Sequence, residues 1–149
     1  MLQMKMTETK NSKSEKDLKK LAGKTPFLEL GFFETARYTN GDFVAQVAAR
    51  NEFGTLTIPP RPFFRNVIDN EKVRARWSKQ LALNIPRIGF KGALQIVGQE
   101  GAGELTNSIN GAYGKFVENA PSTIKAKKSS QPLVYTGFMR ENPTFKVSE

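Results

Sequence analysis

The sequence predicts an α+β protein, in which an antiparallel sheet built on a long β-hairpin packs against two main helices, with an extra N-terminal helix or arm. Three observations lead to this prediction. Hydrophobic residues alternate with period two over residues 27–38. An Asn-Gly pair separates this run from a second apolar run. After a proline-rich stretch, apolar side chains recur at the spacing of one helix face.

The predicted hairpin has strands over residues 27–38 and 42–51. One face of the first strand carries Leu28, Leu30, Phe32, Ala36 and Tyr38, and one face of the return strand carries Phe43, Ala45, Val47 and Ala49. Asn40-Gly41 supplies the turn, because these residues tolerate the positive φ angles of a tight hairpin.

Two main helices are predicted after the hairpin. Pro62 suits a first helical turn, and the first helix extends to about Leu83, with a break at residues 84–86. The second helix begins near Arg87 and is expected to end early, because it contains three glycines. The inward-facing positions are Phe63, Val67, Val73, Trp77 and Leu81 in the first helix, and Ile88, Leu94, Val97 and Leu105 in the second.

The remaining segments lie at the two ends of the chain. Residues 1–24 are predicted to form a Lys-rich arm with a helical part, because Ser12 and Glu15 match a capping box. Residues 25–149 form a single domain, with a mobile loop near 111–131 and an edge strand over 144–147. Thr136 is expected to cap a short helical turn that extends to Met139.

The composition weighs against several classes of protein. The chain has no cysteine and no histidine, which removes the usual nucleophile pairs and transition-metal ligands, so we expect neither an enzyme nor a cofactor or metal. No apolar run is long enough to span a membrane, and the first residues lack the apolar core of a secretory signal. The net charge of +9 lies mainly near the two ends. This distribution leaves open a basic protein that binds nucleic acid without sequence preference.

The segment between hairpin and helix contains the densest group of unusual residues. Its prolines fix φ and remove backbone donors, so it is predicted to be a stiff loop without catalytic groups, suited to subunit contacts. An ion pair between Glu52 and Arg61 is expected to join its two limbs. The candidate subunit-interface residues are Asn51, Glu52, Phe53, Gly54, Pro59, Arg61, Pro62, Phe63 and Phe64.

Two later groups complete the candidate residues. A second turn that organises subunit contacts is predicted at Pro132, Leu133, Thr136 and Gly137. The basic run Lys125, Lys127 and Lys128 is a candidate DNA-facing patch, although a solvated surface explains the same residues. The spacing Gly98-x-x-Gly101-x-Gly103 lacks the Lys-Ser/Thr ending of a phosphate loop and is interpreted as structural.

The order and spacing of these two blocks resemble a known family. Asn51-Glu-Phe-Gly-Thr55 followed by Ile58-Pro-x-Arg-Pro-Phe63, and then Pro132-Leu-x-x-Thr-Gly137, are similar to the tail-component family of tailed bacteriophages. That family includes neck, tail-completion and tail-terminator-like proteins, with relatives in Mu-like prophages. The resemblance covers residues 27–149. The Lys-rich arm and Tyr135, which stands where an acidic residue is commoner, depart from the family pattern.

The resemblance implies a virion structural protein rather than a catalyst. It implies a homo-oligomeric ring, expected to be a hexamer, that terminates the tail and joins it to the head. The implied partners are the tail tube protein, head-side connector proteins and passing DNA, which would be contacted without sequence preference. The implied location is the virion neck, and the host cytoplasm during assembly. A head-completion or adaptor ring of the connector is the alternative within phage assembly.

Overall fold

The structure is a computed structural model that describes residues 25–134 and 136–148. The predicted N-terminal arm and its capping box lie outside these ranges. The described residues form five helices and two strands, which confirms an α+β protein with an antiparallel sheet. In chain order, the elements are β1 (Phe27–Gly31), α1 (Val44–Phe53), α2 (Phe63–Ile68), α3 (Glu71–Ile109), α4 (Pro121–Lys127), α5 (Phe138–Glu141) and β2 (Thr144–Ser148).

The sheet joins the two ends of the described chain. β1 pairs antiparallel with β2, so that Phe27 lies opposite Ser148 and Gly31 lies opposite Thr144. The predicted edge strand near the C-terminus is therefore confirmed. Leu28 and Leu30 face α3, while Phe27 and Glu29 are exposed, as the period-two pattern predicts.

The predicted long hairpin is wrong, because residues 44–51 of its return strand belong to helix α1. The Asn-Gly turn does form. Among the described residues, the segments on its two sides are joined as strands only at the isolated bridge between Arg37 and Phe43. Alanines at positions 45, 48 and 49 favour a helix, and their spacing also imitates the alternation of a strand. In the folded chain, Val44, Ala48 and Glu52 are buried at intervals of four residues, which is the period of a helix face.

The single helix predicted from Pro62 to Leu83 is two helices. The first, α2, ends at Ile68, and Asn70 begins α3 by accepting hydrogen bonds from the backbone nitrogens of Lys72 and Val73 at 3.0 and 3.3 Å. This N-cap was visible in the sequence as an Asn before a helical pattern. It was missed because the apolar positions continue with helical spacing on both sides of it.

The longest helix, α3, folds back on itself as an antiparallel hairpin. The reversal is at Gly89, where φ is 75° and ψ is 173°, and not at residues 84–86 as predicted. Gln80 bonds Glu100 at 2.9 Å, and Arg76 pairs with Glu104, so the two limbs lie side by side. The apolar residues near the reversal are exposed, including Ile88, which was wrongly predicted to face inward.

The glycines of the second limb do not end it, since α3 continues to Ile109. Gly98 lies where a Cβ atom would be 2.6 Å from Cγ of Phe145 and 2.8 Å from Cδ1 of Leu28. Gly101 lies under Leu30 in the same way. These two glycines therefore let the sheet approach the helix closely, and the prediction of an early end was wrong for that reason.

Two buried clusters share Phe64, which packs against both. The larger one joins α1, α2, the end of α3 and the residues that precede β2, through Val44, Ala48, Phe63, Ile109, Leu133 and Met139. The smaller one contains Val67, Val73 and Leu105. Leu94 and Val97 are also buried, as the helical spacing predicts.

The segment over 111–131 is not a continuous loop, because helix α4 lies within it and begins at Pro121. Proline suits the first position of a helix. A backbone N–H there has no acceptor within the helix, so its absence in proline costs no hydrogen bond. Its mobility stays a prediction.

Replacing Gly89 by alanine is expected to lower the free energy of unfolding by about 1–3 kcal/mol, because its backbone conformation is strained for any residue with a Cβ atom. No atom lies within 4 Å of the added methyl group, so the effect isolates the backbone. Urea unfolding followed by circular dichroism measures it. An unchanged midpoint would show that α3 does not reverse at this residue.

Candidate functional site

The loop between α1 and α2, residues 54–62, is held by its own backbone. The Thr55 nitrogen donates to the Ile58 oxygen at 2.8 Å, and the Arg61 nitrogen donates to the Asn51 oxygen at 2.7 Å, which closes the loop. At Gly54, φ is 76° and a Cβ atom would lie 2.9 Å from the Ile58 oxygen. Only glycine fits this position without a shift of the backbone. The α1–α2 loop is therefore a defined structure rather than a simple linker.

Glu52 connects α1 to the start of α2. Its carboxylate is 5% exposed and accepts hydrogen bonds from the backbone nitrogens of Phe64 and Arg65 at 2.8 and 3.2 Å. Arg65 Nε donates to the same carboxylate at 2.8 Å. The first backbone donors of a helix lack acceptors inside the helix, and the N-terminal end of the helix carries a partial positive charge. The Glu52 carboxylate accepts hydrogen bonds from these donors and places a negative charge beside that end.

The predicted ion pair between Glu52 and Arg61 does not form, because their side chains point to different parts of the fold. Arg61 is 6% exposed and reaches the segment after α3. Its Nε donates to the Val117 oxygen at 2.9 Å, and its Nη2 donates to the Glu118 oxygen and to Asn119 Oδ1, both at 3.2 Å. Burial lowers the pKa of Arg61.

The second predicted turn is tied to the first loop through Asn119. The Asn119 Nδ2 donates to the oxygens of Ser130 and Gln131, at 3.4 and 3.2 Å. Arg61 and Asn119 therefore link the α1–α2 loop to the chain that leads into residues 132–137. Asn119 was missed from the sequence, since nothing in its neighbourhood distinguishes it from a surface asparagine.

Within the second turn, the backbone changes direction twice. Leu133 has a φ of 62°, unusual for leucine, and its side chain is buried in the larger core cluster. Gly137 has a φ of 83° and precedes α5. The Thr136 hydroxyl accepts a hydrogen bond from the Phe138 nitrogen at 3.3 Å, but the N-cap position of α5 is Gly137, so the predicted cap at Thr136 was wrong by one residue.

These segments surround one open groove of about 550 Å³. Seven of the sequence-predicted residues line it, from both blocks and from α4, namely Asn51, Pro59, Arg61, Lys127, Leu133, Thr136 and Gly137. The sequence missed Tyr38 and Phe138, which also line it and whose rings meet edge to face at 5.4 Å. Burial raises the pKa of Tyr38.

The other predicted residues lie outside the groove. Phe63 is core, Phe64 is half-buried between the two clusters, and Phe53 is 71% exposed with the Arg65 guanidinium above its ring. Lys125 and Lys128 are exposed, whereas Lys127 turns into the groove, so the three lysines do not share one surface. The rest of this set forms the loop and its connections: Glu52, Gly54, Pro62 and Pro132.

The described part of the chain contains no group of three or more acidic side chains arranged to hold a metal ion. None of the described helices is sufficiently long and apolar to cross a bilayer. Comparison with family models, with curated proteins and with solved structures found no match.

Proposed function

We propose that the protein is a phage virion structural protein of the neck or head-proximal tail end. In this proposal it forms a homo-oligomeric ring, with six subunits expected, that terminates the tail and joins it to the head. Its partners are the tail tube protein and head-side connector proteins, and it is made in the host cytoplasm and incorporated into the virion. The main support is that the two blocks that resemble the tail-component family, about seventy residues apart, contribute to one groove.

The surface beside the groove supports a role in subunit contact. Three apolar side chains are exposed in the segments that adjoin the groove. Phe53, the last residue of α1, is 71% exposed, Leu56 in the α1–α2 loop is fully exposed, and Val117, which follows α3, is 56% exposed. The α1–α2 loop that carries Leu56 is held by internal hydrogen bonds, so little conformational entropy is lost when a neighbour binds it. Large apolar side chains that are exposed in one region favour a protein contact there.

The two-stranded sheet offers a second contact. Among the described strands, β1 and β2 pair only with each other, so each has one edge without a strand partner. A neighbouring subunit is a common way to cover such an edge. Contacts between unlike surfaces that close by rotation generate rings.

The first test is the mass of the purified full chain by native mass spectrometry, with negative-stain imaging. With a subunit mass of 16.6 kDa, a hexamer has a mass of about 100 kDa. A monomer at every concentration up to the millimolar range, with no rings on isolated tails, would contradict the proposal.

The second test separates the steps of assembly by electron microscopy of a phage that carries a nonsense mutation in this gene. Filled heads beside free tails of irregular or excess length support tail termination. Filled heads beside tails of normal length support the alternative head-completion or adaptor ring. Intact infectious particles contradict both and favour a basic nucleic-acid-binding protein, which predicts salt-sensitive DNA binding by the monomer.

Replacing Leu56 by aspartate is expected to prevent ring formation and leave the helix content of the subunit unchanged, because this side chain is fully exposed among the described residues. Sizing chromatography with light scattering measures the oligomer, and circular dichroism measures the helix content. The matched control is the same change at Leu83, an exposed leucine in α3. Rings formed by the Leu56 variant and lost in the Leu83 variant would move the contact to the reversal of α3.

A further inference from the structure

The reversal of α3 carries an apolar surface at a distance from the candidate groove. The α3 tip, residues 82–92, contains no buried residue, and nine of its eleven residues are exposed. Four of the eight large apolar side chains that are exposed in the described part of the chain lie on this tip, namely Leu83, Ile85, Ile88 and Phe90. Single exposed apolar residues are ordinary in a folded protein, but a group of four at one reversal indicates a contact surface.

The α3 tip is held in one arrangement by its own contacts. The Ile88 side chain packs against Gly92, where a Cβ atom would lie 3.0 Å from Ile88 Cγ1. The Asn84 Nδ2 donates to the Gln80 backbone oxygen at 2.8 Å and to Gln80 Oε1 at 3.1 Å, which fixes the last turns of the first limb. A surface that is already ordered loses little conformational entropy when a partner binds it.

The charge around the α3 tip is positive. No aspartate or glutamate occurs between Glu71 and Glu100, and this stretch contains six lysines and arginines. Arg87 lies on the tip itself, is exposed and forms no ion pair with a described residue. The first carboxylate of the second limb, Glu100, accepts a hydrogen bond from Gln80 of the first limb. The tip therefore combines apolar side chains with positive charge and favours an anionic partner.

These two features together discriminate between anionic partners. A DNA duplex offers phosphates to the cations but no pocket for the four apolar side chains. The tip of a second copy carries the same positive charge and is repelled. Residues 1–24 of the chain, with seven lysines against three acidic residues, also have the wrong net charge. A protein groove with an apolar floor and a rim of carboxylates matches both the apolar residues and the charge.

We infer that the α3 tip inserts into an apolar groove, rimmed by carboxylates, on a neighbouring virion protein that is not a copy of this chain. The inference rests on the proposed function, since it assigns the contact between the ring and its head-side or tail-side partner. The subunit contact proposed around Leu56 and the partner contact at the tip are then separate surfaces, and each can be removed without the other.

Complementation during infection tests this contact. A plasmid supplies the full chain to cells infected by the phage that carries the nonsense mutation. We expect Ile88→Asp and Arg87→Glu to form rings when purified, but to yield about tenfold fewer infectious particles or a larger loss, because the tip loses its apolar contact or its attraction to carboxylates. The matched control is Arg74→Glu, an exposed arginine of the same limb outside the tip, which is expected to change the yield less than about twofold. Light scattering measures the rings, and plaque counts measure the yield.

Zero-length carbodiimide cross-linking tests the chemistry of the partner, because it joins an amine to a carboxylate only when the two touch. Arg87→Lys keeps the positive charge of the tip and supplies the amine. In particles assembled with this variant, we expect position 87 to be joined to an aspartate or glutamate of a different virion protein. Links from position 87 only to copies of this chain, or no link from it, would overturn the inference.

The outcomes separate this inference from the proposed function. Tip variants that form rings and support infection as well as the unmodified chain would overturn the inference and leave the ring intact. Loss of rings in both tip variants would place the subunit contact at the tip and also overturn it. Infectious particles formed without the protein would overturn both proposals.

Two further results would assign the α3 tip to another class of partner. Failure of Arg87→Glu alone, with weaker binding to a labelled DNA duplex, would assign the tip to phosphate. Binding of the unmodified chain to phosphatidylglycerol vesicles, lost in Ile88→Asp while infection is unchanged, would assign it to a lipid surface. Either result would overturn the inference.

Discussion

Replacing Glu52 by alanine is expected to lower the free energy of unfolding by about 2–3 kcal/mol, because it removes the acceptor of two part-buried nitrogen donors at the start of α2. The contribution of the Arg65 side chain is smaller, since that side chain is 52% exposed and screened by solvent. The cost therefore arises mainly from the unpaired backbone nitrogens of Phe64 and Arg65.

Urea unfolding of two further variants identifies the cause. Glu52→Gln keeps one acceptor oxygen without the charge, so we expect a loss between those of the unmodified chain and Glu52→Ala. Glu34→Ala, at an exposed carboxylate in a turn, is expected to change stability by less than about 0.5 kcal/mol. Equal stability of the Glu52→Ala and Glu34→Ala variants would show that Glu52 does not hold α1 to α2.

Replacing Gly98 by alanine is expected to destabilise the protein by about 2–3 kcal/mol, because the new methyl group overlaps Phe145 and Leu28 and pushes the sheet away from α3. The atoms in the way belong to packed side chains on both strands, so relief requires movement of the whole sheet. Thermal and urea unfolding measure the loss.

Gly103 provides the matched control on the same helix. A Cβ atom there meets no atom within 4 Å, so Gly103→Ala is expected to stabilise the protein by about 0.5–1 kcal/mol through helix propensity alone. Opposite signs for the same substitution, five residues apart, are the expected result. Stabilisation in both variants would contradict the close approach of sheet and helix at Gly98.

The local sequence pattern at residues 44–53 was not enough to distinguish a strand from a helix. Alanine and valine at alternate positions satisfy both a strand face and a helix. The choice depends on whether Val44 and Ala48 face a common partner, and that partner includes Ile109 and Leu133, which are distant in sequence. The alanines of α1 thus favour a helix, and tertiary packing decides between helix and strand.

In the candidate groove, too, the sequence indicated residues correctly but not their partners. The sequence indicated seven lining residues, because the proline-rich loop, the turn at residues 132–137 and the basic run each have an unusual composition. It paired Arg61 with the wrong group, since the acceptors of Arg61 lie more than fifty residues away. It also treated three lysines as one patch, whereas the last turn of α4 directs only Lys127 into the groove.

The sequence by itself determined the features that depend on a residue's own backbone and on its nearest neighbours. These include the period-two face of β1, the edge strand β2, the Asn-Gly turn and the closed backbone of the α1–α2 loop. Tertiary structure alone decided the helix at residues 44–53, the approach of Gly98 to the sheet and the partners of Glu52 and Arg61. The physical reason is that these contacts join residues far apart in the chain. Which acceptor a donor reaches, and which surface an apolar face packs against, is therefore set by the folded structure.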